Sequence, residues 1–345
     1  MQLPITGHPL HTRSLTLELA PREDGRLAAR GTLLDLRKHG VLPMLGELQT
    51  AGIIHHMWLA LALDPATRVL EGVEAGQPAV AFEPSPETGG ECCRDPIDRL
   101  RALLGERVDA GFATRLRREI GGPRGCSHIL TLFQLAASAF ARALDLEEAA
   151  GALALRKEGE GIFKRSLLLD GFLGADGALE ISVQMSDFHT TPRARVARPE
   201  ERLARQDEVR VLARVDLAGP RLAELQGAER SRAAPGLGAT PWRDLGPELA
   251  ALAGLPLLSG LASELLRRFG ERPERRLLLD ALLSLAPGFI QCAPPLLDYR
   301  VPGAGQRSPA AARALGIGGL PDSCYMWRRG GPLDLHPRTS ARRPG

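Results

Sequence analysis

Two apolar-rich runs, Ser14 to Leu19 and Leu27 to Leu33, flank Arg22-Glu23-Asp24-Gly25, a cluster of turn formers. That arrangement predicts a β-hairpin. Met57 to Leu63 and Val69 to Val73 flank Asp64-Pro65-Ala66-Thr67 in the same way, so about four antiparallel strands are expected. Beyond them the apolar period becomes helical. Ile97, Leu100, Leu103 and Leu104 form one stripe, Phe112, Leu116 and Ile120 a second, and Ile129, Leu132, Phe133, Ala136, Ala137 and Phe140 a third. Gly121-Gly122-Pro123-Arg124-Gly125 ends the second helix and turns the chain into the third. Strands followed by helices predict an α+β unit, with the helices packed on one face of an antiparallel sheet.

The pattern recurs. Thr12-Arg13-Ser14-Leu15-Thr16-Leu17 returns 152 residues later as Lys164-Arg165-Ser166-Leu167-Leu168-Leu169, and the same spacing carries Asp24-Gly25 onto Asp176-Gly177 and Asp35 onto Asp187. A spacing of 149 then pairs Gly105 with Gly254, Gly111 with Gly260, Gly121 with Gly270 and Phe140 with Phe289. A register held over so many positions predicts two tandem, pseudo-symmetric repeats of one α+β unit. The first is expected over residues 1–150 and the second over 151–293, with helices at Leu255 to Phe269 and Leu277 to Leu285. Residues 294–345, dense in Gly and Pro, read as an irregular arm, and Ser231 to Pro241 as a small-residue loop.

Composition narrows the function classes. The chain has 345 residues, 44% of them hydrophobic and 25% charged, and a formal charge of +3. An excess that small steers it toward neither nucleic acid nor a membrane surface. No apolar run is read as reaching the roughly 18 residues that span a bilayer, and Met1 to Leu10 lacks secretory-signal character. A cytoplasmic location is expected, where five cysteines remain thiols or ligands. Three tempting signals carry no function. Gly316 to Gly319 follows no strand and opens no helix, Arg195 to Arg210 reads as a solvated connection or short helix, and Arg338 to Arg343 reads as a solvated tail. Trp58 and Trp242 read as core or interface aromatics.

Three clusters carry candidate chemistry: His55-His56 before a strand, Cys92-Cys93 in the strand-to-helix connection, and Gly125-Cys126-Ser127-His128 at a helix start. Imidazoles and thiolates are the donors that suit zinc or a related transition ion. With Ser127 as the helix cap, Cys126 and His128 converge at the helix entry. Equally, Cys126 at a helix N-terminus beside His128 has the setting of a lowered pKa and a nucleophilic role. A plain core role for these side chains is the third reading.

Thr12-Arg13, Asp24-Gly25, Gly31, Asp35, Ile54-His55-His56-Met57-Trp58-Leu59 and Gly125-Cys126-Ser127-His128-Ile129 resemble, in order, the bacterial domain-of-unknown-function family 2889. Its signature reads Gly-Cys-Thr-His-Leu where this chain has Gly125 to Ile129, and Ile-His-Asp-Met-Trp-Leu where it has His55-His56. Cys93 matches a Cys-Pro of the family, with Arg94 in place of the proline, and Asp322-Ser323-Cys324-Tyr325 is similar to its closing Asp-x-Cys-His. The resemblance implies no activity. It does gather a shortlist of His55, Cys93, Cys126, His128 and Cys324.

In the second repeat His55 falls on Asp207, Cys126 on Arg275 and His128 on Leu277, while Cys93 lands between Trp242 and Leu245. No donor set survives there, and His189 and Cys292 read as structural. The expectation is a metal-binding protein, with zinc or another transition metal held by His55, Cys93, Cys126 and His128 and with Cys324 as a fifth donor or lid. A metal- or thiol-dependent enzyme follows if the ion keeps an open position. His56, Cys92 and Asp35 are left open as further members. The alternative is a non-catalytic scaffold for an unknown small molecule or protein partner.

Overall fold

The alternation of apolar and polar positions extends further than the sequence runs suggest, and it builds long strands. A computed structural model describes residues 7–44, 47–234, 240–300 and 321–334. Strands β1 (His8–Pro21) and β2 (Leu27–Arg37) form the first hairpin, with Gly25 in the left-handed region at φ 79° in its turn. A small hairpin of β3 (Leu42–Met44) and β4 (Glu47–Gln49) precedes β5 (Gly52–Leu63) and β6 (Leu70–Ala79). Helices α1 (Phe112–Ile120) and α2 (Ser127–Ala150) follow. Strands β7 (Phe163–Leu173), β8 (Leu179–Thr190), β9 (Leu203–Asp216), β10 (Arg221–Ala233) and β11 (Arg243–Asp244) come next. Helices α3 (Gly246–Leu249), α4 (Leu261–Phe269), α5 (Arg276–Leu283) and α6 (Leu285–Arg300) complete the order.

Among the described residues nine strands make one antiparallel sheet, in the order β11-β10-β9-β8-β7-β1-β2-β5-β6. The architecture is α+β, as expected. The sheet runs without a break across the boundary expected near residue 150, because β1 and β7 pair along their length with Leu15 opposite Leu167. One face buries Leu15, Leu17 and Leu19 of β1, Ala29 and Leu33 of β2, and Met57, Leu59 and Leu61 of β5. Burial of each such leucine contributes roughly 1.5–3 kcal/mol. Helices α2, α5 and α6 lie on that face. Gly31 brings α2 close: a Cβ there would meet Leu17 at 2.4 Å and Leu132 at 3.0 Å.

Some elements recur at the spacings read from the sequence. Arg13 pairs with Asp35, and Arg165 with Asp187. Helix α4 begins and ends 149 residues after α1. The isolated bridge Val69–Arg107 has its counterpart in Arg221–Pro256, and Gly105 and Gly254 both take φ near 80°, at 83° and 81°.

Several expectations change. His55 and His56 lie inside β5, not before it. The first helical stripe is a 3-10 helix over Asp95–Leu103. The helix expected from Leu255 begins at Leu261, because Gly260 at φ 90° is incompatible with a continuous helix. Arg195 to Arg210 is no helix beyond short 3-10 turns, and β9 starts at Leu203. The expected arm is helical through Pro294 and Pro295, since α6 continues to Arg300. Two helical stretches, Ser127–Ala150 and Pro273–Leu296, are long and apolar enough to cross a membrane, contrary to the sequence reading. Most of each is buried against the protein itself, the ordinary position of a core helix. Gly316 to Gly319 and Arg338 to Arg343 lie outside the described residues, as does part of the loop at Ser231 to Pro241.

Candidate metal centre

Strand parity sets the site. His11 and Arg13 on β1, Asp35 and Arg37 on β2, and His55 on β5 all point to the helix-covered face, at one end of the sheet. His56 is one residue out of phase and points away. The start of α2 delivers His128 above them. Its N-cap is Cys126, in an extended conformation, without a side-chain cap bond, and Ser127 does not serve as the cap.

Asp35 is fully buried at the centre. Its Oδ1 accepts from His11 Nε2 at 3.0 Å and from Arg13 Nε at 2.8 Å, and its Oδ2 accepts from Arg13 Nη2 at 2.9 Å. Burial alone would push this carboxyl up, but the Arg13 guanidinium and the His11 hydrogen bond hold it well below the usual carboxylate range. His55 Nδ1 and His128 Nε2 each lie 3.4 Å from Asp35 Oδ2. That is longer than a good hydrogen bond. His55 Nδ1 is buried and makes none.

The His55 and His128 rings stack with centroids 3.8 Å apart. Burial, reinforced by the neighbouring His55, lowers the His128 pKa well below the ordinary imidazole value, and burial also lowers that of His11. His128 is therefore neutral at pH 7. The Gln291 amide nitrogen stands 3.0 Å from His128 Nε2. An amide N–H donating to Nε2 makes that atom an acceptor and leaves the ring proton on Nδ1, which faces Cys126 Sγ at 3.7 Å.

One donor atom each from Asp35, His55 and His128 lie within 4.8 Å of one another, close enough to hold a metal ion. Among the described residues no other His, Cys, Asp and Glu group of three or more is as compact. The expected shell of His55, Cys93, Cys126 and His128 is therefore not the set that comes together. All four nevertheless line one cavity of about 140 Å³, along with Cys324. Cys324 arrives on the segment 321–334, where Tyr325 N donates to the Gly125 carbonyl at 2.8 Å and Arg328 pairs with Glu91. All five cysteines are free.

The thiols are not activated. Burial pushes Cys126 up to about 11, and it raises Cys93 well above the usual thiol range, with Cys126 and Cys324 adding to the effect. The lowered Cys126 pKa expected from its position at a helix start is overturned by that burial. Cys92 instead bonds Asp95 through Sγ at 3.1 Å, outside the cavity.

Sequence reasoning missed His11, Arg13 and Arg37 altogether and left Asp35 open. The signal available was parity: positions 11, 13, 35, 37 and 55 share one sheet face once β1, β2 and β5 are registered. His189, read as structural from the sequence, bonds Glu147 at 2.6 Å. Trp242 lies between Arg210 and Arg230, and Trp58 faces partly outward.

A family model described as "Protein of unknown function (DUF2889)" matches residues 11–142. No curated protein and no solved structure matches the chain. The matched segment contains His11, Arg13, Asp35, His55, Cys126 and His128, so the compact donor group falls wholly within it.

Proposed function

From a compact donor group inside the segment that the family model matches, we propose that this protein binds a transition-metal ion, zinc in the first instance, through Asp35 Oδ2, His55 Nδ1 and His128 Nε2. The observation that carries the reading is the orphaned His55 Nδ1, buried 3.4 Å from a carboxylate oxygen that still has a lone pair. A carboxylate offers about four lone pairs. His11 and Arg13 take three of those on Asp35, and the remaining one on Oδ2 lies between the two imidazoles. Ligands bonded at about 2.0–2.2 Å in a tetrahedral shell stand about 3.3–3.6 Å apart, which suits separations of 3.4 Å.

Because His128 Nε2 has one lone pair, the Gln291 amide gives it up when the ion binds, and the three protein ligands then leave a coordination position facing the cavity. An ion so held polarises a bound water or carbonyl, the chemistry of a metal-dependent enzyme. Cys93, Cys126 and Cys324 line the cavity as neutral thiols in this reading, and a reducing, cytoplasmic setting preserves them. A small molecule is the partner that fits such a cavity.

We also infer that residues 151–293 are a second, degenerate copy of the first 150. The recurring Arg–Asp pair, the matched helix bounds and the two equivalent bridges support this. Only the first Arg–Asp pair is ringed by imidazoles. The second is completed by Asp280, which accepts from Arg165 at 2.7 Å. The second copy then supplies sheet and packing.

Equilibrium dialysis of chelator-treated protein against zinc tests the metal reading. One zinc per chain is expected, with affinity lowered at least about tenfold in His55→Ala and His128→Ala and unchanged in Cys126→Ser. A folded wild-type protein that takes up no zinc or other transition ion, and whose His128→Ala variant melts like it, would leave the scaffold alternative standing.

A further inference from the structure

Arg37 follows Asp35 by two residues on β2, so it shares the helix-covered face, and it is 5% exposed and lines the cavity. A guanidinium keeps its charge at every physiological pH. Burial of a charge is tolerated only where something compensates it. The other buried arginines have acids: Arg13 has Asp35, Arg165 has Asp187 and Asp280, and Arg156 has Glu147 and Glu160. Among the described side chains Arg37 has no carboxylate partner, and its one side-chain hydrogen bond there runs from Nη1 to the Gln49 carbonyl at 3.5 Å. At the spacing of 152 its counterpart is His189, which is satisfied by Glu147. His189 thus meets an internal acid, Glu147 of α2, whereas Arg37 opens onto a cavity.

We propose that Arg37 is the anion-recognition group of this cavity, and that the cavity takes a small organic monocarboxylate. The carboxylate pairs with the Arg37 guanidinium, and the hydrocarbon part lies against Ile54, Phe82, Ile290, Met326 and Trp327. A monoanion matches the charge. Arg37 is the one lysine or arginine among the described lining residues, whereas a phosphate dianion calls for more positive groups than one fork. The rest of the wall is largely apolar, which suits a carbon skeleton. The inference goes beyond the metal reading and does not require the ion, since Arg37 needs a counter-charge with or without it.

The test is ligand-observed NMR titration of the full chain with benzoate and its neutral isostere benzamide, on zinc-loaded and on chelator-treated protein. Benzoate is expected to bind at least about tenfold tighter than benzamide in both forms. Arg37→Met is expected to abolish that preference without changing benzamide binding, and Arg37→Lys to retain part of it, since the charge stays and the fork is lost. If Arg37→Met does not fold, Arg37→Lys and the wild-type comparison decide. Equal binding of the two probes, binding of neither, or a preference that survives Arg37→Met overturns the proposal. A preference that needs zinc and ignores Arg37 overturns it while supporting the metal reading. A preference lost in Arg37→Met in a protein that never binds metal supports it although the metal reading fails.

Discussion

The His55 and His128 imidazoles stack 3.8 Å apart at a tilt of 32°, with Asp35 Oδ2 3.4 Å from each. Two cationic rings cannot share that geometry, and burial keeps His128 neutral. In the unfolded chain the same side chain takes a proton near pH 6.5, roughly. The unfolded state therefore binds more protons below that pH, and stability falls as the pH drops, by at most about 1.4 kcal/mol per unit for each such group. His11, also held neutral by burial, adds to the fall. Urea unfolding in chelator should show stability level from pH 8 to 7 and declining toward pH 5.5, with a shallower decline in His128→Gln. A flat wild-type profile over that range would contradict the neutral, buried assignment.

Arg165 is buried to 0% exposure between Asp187 and Asp280, bonded to each at 2.7 Å. Its removal strands two buried carboxylates. Arg165→Met is expected to destabilise the fold by about 3–5 kcal/mol, the range for breaking a buried pair from one side. Because the group lies outside the cluster of Asp35, His55 and His128, zinc affinity of the folded fraction should not change. Urea midpoints and dialysis on the same preparation check both statements.

Gly31 lets α2 rest on β2, with Leu17 and Leu132 where a side chain would go. Gly31→Ala overpacks that contact, at a cost of about 1–3 kcal/mol. Since α2 carries His128, the substitution should also weaken zinc binding. A thermal melt and a zinc titration unchanged from wild type would show that the contact has more slack than the geometry gives it.

Cys126 has a pKa of about 11, so little thiolate exists near neutral pH. Its alkylation by iodoacetamide at pH 7.5 should be slower than that of the same cysteine in urea-unfolded chain. Mass spectrometry of the labelled peptide distinguishes this from the nucleophile reading, under which the folded protein reacts faster.

Much of the scaffold was legible because strands and helices announce themselves through local periods. The runs around Asp24-Gly25 and the stripe of Phe112, Leu116 and Ile120 became β1, β2 and α1. His55, Cys126 and His128 were legible as candidate chemistry because imidazole and thiol are metal-ligating and nucleophilic groups. What was not legible depended on registering strands far apart in sequence. His11 gains its meaning from β1 pairing with β2, which puts its ring on Asp35. Arg165 and Asp187 stand 152 residues after Arg13 and Asp35 and form the same pair, so that spacing was visible while the place of Arg13 and Asp35 among the imidazoles was not. The state of the cysteines was not legible for a physical reason: residue type gives donor softness but not burial, and burial decides whether a thiol ionises.

Cobalt substitution tests the central claim most directly, because an open-shell ion reports its own ligands. Chelator-treated protein titrated with Co²⁺ should develop ligand-field absorption that saturates at one ion per chain, disappears in His55→Ala and in His128→Ala, and lacks a thiolate-to-cobalt charge-transfer band. No absorption change, or a thiolate band that survives both histidine substitutions and vanishes in Cys126→Ser, would contradict a centre built on Asp35, His55 and His128.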